Sequence, residues 1–250
     1  MSRKGIISFF AGFLVLFFVY HFPEFYAAFW IMAIFKIGFL VVAFLLARLQ
    51  GWKGLGGYGL GLAKGWAANL IKGLLVGLFF FSLSVFVSIL SGYQAILEVS
   101  SFKDVVVKLP MILLMTAVPS IAEDILTRGY LFAHLKFIKN GWWILLSASV
   151  YVLNHIWRLQ DGPAVLSYLF VFGLLLALAV SITRSLWLAF GIHWGANIAF
   201  ESCNSIIKTN TLVQHDGPNW LLAVTWALLL TLLLVFNWRK NNESSFLKSD

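Results

Sequence analysis

Hydrophobic side chains occur along this chain in long unbroken blocks separated by short polar runs. The blocks cover residues 6–22, 25–47, 67–91, 105–122, 142–158, 163–182, 186–204 and 219–238. Each is near the roughly 20 residues that a helix needs to cross the hydrocarbon core of a bilayer. The strict apolar–polar alternation of an outer-membrane barrel strand is absent. The pattern predicts an all-α protein, a polytopic transmembrane helical bundle of about eight spans. The first block follows Ser2-Arg3-Lys4 and runs into His21-Phe22-Pro23-Glu24 with no small-residue cleavage site, so it reads as a retained span rather than a signal peptide. In the fourth block the helical pattern continues past Pro119 to Phe137, too long for one perpendicular crossing at about 1.5 Å per residue. A kink near Pro119 is expected. Only short connections and a C-terminal tail, Asn237 to Asp250, are polar, so residues 1–250 read as a single transmembrane domain. The segment Gly51 to Gly61 is glycine-rich but lacks the ending of a phosphate loop, and reads as a flexible cytoplasmic linker or an interfacial re-entrant turn.

Composition strengthens the membrane reading and removes others. Of 250 residues, 61% are apolar and 11% charged, with a mean hydropathy of +0.90, which excludes a water-soluble domain. The net charge of +8 does not signal nucleic acid, because the basic residues flank the spans instead of forming a stripe. With the N-terminus in the cytoplasm, Arg3, Lys4, Arg48, Lys53, Lys64, Lys72, Lys136, Lys139, Arg184, Arg239, Lys240 and Lys248 fall inside; Lys103, Lys108, Arg158 and Lys208 fall outside. That asymmetry is the one membrane insertion produces, and it places both termini in the cytoplasm, with anionic inner-leaflet lipid as the partner of the basic loops. The expected location is a bacterial inner membrane. Cys203, the only cysteine, rules out an intramolecular disulfide and a multi-thiolate zinc cluster.

The candidate chemistry lies in residues that lipid would not tolerate. Glu123, Asp124 and Arg128 sit within an apolar span, where each costs about 2.5–3.5 kcal/mol on insertion scales. Asp124 and Arg128, four apart, share a helix face and can pair, whereas Glu123 sits about 100° round the helix. Lys36 interrupts the second span and calls for snorkelling or a buried partner. His155 ends the fifth span with Tyr151 one turn before it, and His193 in the seventh has Asn197 one turn after it. Counted from the inner basic residues, Glu123, His155 and His193 all fall about 13–21 Å into the membrane and can meet. Desolvation in a low-dielectric cavity makes a carboxylate a stronger base toward water, and histidines with a carboxamide can stabilise the oxyanion formed at a carbonyl. Two histidines and a carboxylate equally suit a divalent metal such as zinc. The residues alone leave those two open.

These three segments, in this order on separate apolar helices, resemble the CPBP family of intramembrane proteases, also called the CAAX-protease or Abi family. Its first motif, EExxxR, corresponds to Glu123-Asp124-Ile125-Leu126-Thr127-Arg128; its second, FxxxH, to Tyr151–His155; its third, HxxxN, to His193–Asn197. The resemblance covers residues 105–204, the expected catalytic core. It implies peptide-bond cleavage with Glu123 as the base, Arg128 as its organiser, and His155, His193 and Asn197 as stabilisers of the intermediate or ligands of a metal. The substrate implied is a membrane-associated protein or peptide. Asp124 replaces the second glutamate and keeps its charge, while Tyr151 replaces phenylalanine and brings a hydroxyl that needs a partner. HExxH, GxSG and GxGD are all missing, so other intramembrane proteases fit worse. Two competing readings of the same cavity are a peptide-binding immunity protein that does not cut and a proton-coupled transporter.

Overall fold

The computed structural model describes residues 3–26, 28–212 and 216–246. Ser2, Lys248, residues 247–250 of the polar tail and the side chains of Arg3, Lys4 and Lys240 lie outside what it describes. The helices run α1 Arg3–His21, α2 Phe29–Leu49, α3 Trp66–Leu90, α4 Phe102–Asp124, α5 Tyr130–His134, α6 Asn140–Asn154, α7 Pro163–Thr183, α8 Trp187–Ser205 and α9 Gly217–Phe246. The bundle is all-α in its membrane part, as the block pattern predicts. A short antiparallel pair, β1 Gln94–Val99 and β2 Ile207–Thr211, ties the end of α3 to the end of α8. It went unread because a hairpin-sized strand outside the spans carries little periodic signal.

Eight spans are expected, and among the described residues six helices are long and apolar enough to cross a membrane. The two that fall short are α6 and α8. With 15 residues, α6 is about 22 Å long, less than the hydrocarbon thickness, and it stops at Asn154 rather than running to 158. Helix α8 is long enough but more polar, because one side of it lines a cavity and the other packs inside the bundle. The polar tail is largely helical, since α9 continues to Phe246.

Burial follows from lipid acting as the outer solvent. Helix α7 is apolar all round and is the most buried span, with Leu175, Leu176, Ala177 and Ala179 fully enclosed. The outer faces of α1, α4 and α9 present large apolar side chains such as Phe18, Val107 and Val224, as a lipid-facing surface requires. The closest helix pair is α3 with α8. Gly73 and Gly77 on α3 meet Gly191 and Gly195 on α8: a Cβ at Gly73 would lie 2.9 Å from the Ile192 nitrogen, and one at Gly195 2.8 Å from the Leu78 nitrogen. Small residues four apart let two backbones touch, and van der Waals packing holds them where no hydrophobic drive exists between helices.

The glycine-rich segment is an ordered turn rather than a flexible linker. Tyr58 is fully buried and donates to Gln50 Oε1 at 3.0 Å, and Gly59, at φ +93°, turns its carbonyl to accept from Leu186 N at 2.9 Å. That left-handed backbone favours glycine. Lys36 has buried partners: it donates to Tyr20 O at 3.0 Å and Glu24 Oε1 at 3.2 Å, and lies over the Tyr20 ring. On the sheet, Lys208 pairs with Glu98 at 2.6 Å and holds its exposed carboxyl below the usual range.

Candidate active site

Helix α4 keeps its α-helical course past Pro119, which has no N–H to donate, as far as Asp124, and a π turn, Ile125–Gly129, then joins it to α5. The marked departure from α geometry therefore falls a turn and a half beyond the proline at which a kink is expected. A π turn adds one residue to a helical turn and leaves carbonyls short of partners. Ser147 on α6 donates to the Thr127 carbonyl at 2.9 Å, and Thr127 Oγ1 donates to the Glu123 carbonyl at 2.8 Å. Glu123, Asp124 and Arg128 are all buried on this stretch.

Asp124 and Arg128 form the expected ion pair along one helix face. Arg128 also donates to Thr127 Oγ1 at 3.0 Å, and its guanidinium sits 4.5 Å from the centre of the Tyr151 ring. The same Asp124 oxygen accepts from His193 Nδ1 at 3.2 Å. This fixes which ring nitrogen carries the proton and leaves His193 Nε2 3.6 Å from Glu123 Oε2. His155, the residue just after α6, donates from Nδ1 to the Tyr151 carbonyl at 2.8 Å, and that nitrogen lies 3.6 Å from Glu123 Oε1. Asn197 donates to Ser120 Oγ at 2.8 Å and, with Glu123, Tyr151, His155 and His193, lines one cavity of about 450 Å³. Four of the six expected residues, Glu123, His155, His193 and Asn197, therefore line a common space, and the Asp124–Arg128 pair lies outside its lining. Tyr151 answers its substitution differently from expectation: its ring covers Arg128 and meets His155 and His193 edge-on, and its hydroxyl makes no hydrogen bond to the described residues.

Residues outside the motifs complete the setting. Asn154 donates to Glu123 Oε1 at 2.9 Å and accepts from His21 Nε2 at 3.0 Å; His21 Nδ1 then meets Glu24 Oε2 at 2.7 Å, where Trp157 Nε1 also donates at 3.0 Å. A polar chain thus runs from Glu123 to Glu24 and on to Lys36. Asn154 inside an apolar block was the available signal, because a carboxamide needs a partner there. His21 and Glu24 lie at the edge of a block, where polar residues are ordinary.

Glu123 is buried and lies among His155, His193 and the Asn154 amide. The pocket therefore holds a desolvated carboxylate between two imidazoles. For a metal the donors do not fit: among the described residues no group of three or more His, Cys, Asp or Glu could hold an ion.

Residues 105–199 match the Rce1-like family, described as type II CAAX prenyl endopeptidase Rce1-like. Over these residues the chain is similar to the core of a CAAX-type membrane protease. The match spans all three motifs and agrees with the resemblance drawn from them. The apolar helices make the protein an integral, multi-pass membrane protein. A search of the curated proteins finds no match.

Proposed function

We propose that this protein is an intramembrane endopeptidase that hydrolyses a peptide bond of a membrane-associated protein or peptide through a water activated by Glu123. The observation that carries it is the Glu123 carboxylate in the cavity, 3.6 Å from both His155 and His193 and anchored by Asn154 at 2.9 Å. Glu123 takes a proton from water, whose oxygen bonds to the carbonyl carbon. The charge passing to the carbonyl oxygen is stabilised by the second N–H of the Asn197 amide and by a protonated imidazole. Both histidines already donate from Nδ1, so each needs Nε2 protonated to donate again. As the tetrahedral centre collapses, the C–N bond breaks and Glu123 returns its proton to the leaving amine. Arg128 acts through Asp124, which orients His193.

In this reading the chain is one transmembrane domain with its catalytic core at 105–204 and both termini in the cytoplasm of a bacterial inner membrane. The test is Glu123→Gln, which keeps shape and removes the base. Cleavage of a membrane-protein substrate by purified protein should fall about 10²–10⁴-fold with unchanged thermal stability. An unchanged rate sinks the mechanism. Intact peptide retained by the parent protein would point instead to a non-cleaving binding protein.

A further inference from the structure

Helices α3 and α8 lead directly into β1 and β2, and α4 and α9 start just after them. One end of the bundle is therefore the sheet end. At the opposite end lie the start of α3, the turn from α7 to α8, and the α5–α6 connection, with Phe9 of α1 stacked on Tyr130. The lining of the cavity runs from Glu123 and His193 to Gln94, Asn204, Thr209 and Asn219 at the sheet end, and none of it comes from the opposite end; the sheet end is therefore taken as its open end and the opposite end as its closed end.

Charge distinguishes the two ends. Arg48, Lys53, Lys64, Lys72, Lys136, Lys139, Arg184 and Arg239 lie at the closed end, and no Asp or Glu between residues 5 and 239 accompanies them. The sheet end carries Glu98, Asp104, Asp161, Glu201 and Asp216 against Lys103, Lys108, Arg158 and Lys208. Basic loops stay in the cytoplasm during insertion. The closed end is thus cytoplasmic and the open end faces away from it.

We propose that the cavity takes its peptide from the non-cytoplasmic side of the membrane: an extended segment of a protein already carried across the bilayer. From His193 to Ser205 at the end of α8 is about 18 Å of helix, so the segment must reach inward by about five extended residues. An unfolded terminus or a juxtamembrane stretch meets that requirement. A prenylated C-terminal cysteine, whose lipid anchors it to the cytoplasmic leaflet, approaches from the wrong side. The substrate part rests on the endopeptidase reading; the orientation does not.

Cys203, the single cysteine, lines this cavity and is partly exposed, so the unmodified protein carries its own reporter. The full chain would be treated with a membrane-impermeant sulfonated methanethiosulfonate in right-side-out and in inside-out vesicles. Modification of Cys203 in the former and its loss in the latter is expected. Thr209→Cys in a Cys203→Ser background, at the rim, should behave alike and covers a slow reaction at Cys203. Modification from the cytoplasmic side, equal modification from both sides, or none at either position overturns the proposal. Glu123→Gln protein should label as the parent does, because access needs no catalysis. Outward labelling without any proteolysis would remove the endopeptidase reading and with it the substrate, leaving the orientation; inward labelling with Glu123-dependent proteolysis would do the reverse.

Discussion

At the scale of single residues, the site is a solution to placing charge in hydrocarbon. Asp124 and Arg128 offset each other, and Glu123 is surrounded by groups that accept its charge. Asn154 is the least replaceable of these, because its amide both donates to Glu123 and accepts from His21. Asn154→Leu keeps the volume and removes the donor, freeing the carboxylate to rotate; a misplacement of about 1 Å is enough to lower kcat by roughly 10²-fold. KM should stay near the parent value, since Asn154 lies behind the carboxylate and does not line the cavity. Steady-state kinetics on the two proteins check this, and a change in KM alone would assign Asn154 to substrate binding. The motif residues were legible because lipid penalises each of them and nothing local excuses Glu123 or the histidines. His21 and Glu24 were not, since what gives them meaning is contact across 133 positions of sequence, and Asn154 gave only its place in an apolar block and not its partner 31 positions away.

Among elements, His193 stands opposite Glu123 because α8 is pressed against α3. The paired glycines fix that approach, and the π turn fixes where Glu123 and Asp124 face on the other side. The four-residue spacing of Gly73–Gly77 and Gly191–Gly195 is present in the sequence, but nothing in one chain says which two such stripes meet. The π turn leaves no composition signal at all. Gly77→Val would drive a side chain into the Ile192 backbone, where a Cβ already lies 2.8 Å from the carbonyl carbon. Overpacking of this kind costs about 1–3 kcal/mol, and here it also shifts α8, so cleavage should fall along with thermal stability in detergent. Gly141→Ala, on α6 with open space around it, is the control: its stability should be unchanged or raised by about 0.4–1 kcal/mol. If Gly77→Val and Gly141→Ala unfold at the same temperature, the α3–α8 contact does not hold the bundle together.

For the whole molecule, a bilayer changes what burial means. Moving a leucine from lipid into the protein interior removes no apolar area from water, so the hydrophobic term that dominates a soluble core contributes little to holding the helices together. What remains is close packing, concentrated on α7, together with the buried polar chain. Leu176 on α7 is fully enclosed, whereas Leu228 on α9 is half exposed to the surroundings of the bundle. Leu176→Ala leaves a cavity and should lower the unfolding free energy in lipid bicelles by about 2 kcal/mol, the lower end of the range for buried leucines because the transfer part is missing. Leu228→Ala exchanges protein methyls for lipid methyls and should stay within about 0.5 kcal/mol. Unfolding by titration with a denaturing detergent measures both. Equal losses at the two positions would mean that the outer face of α9 packs against protein rather than lipid, and that the bundle works as part of a larger assembly.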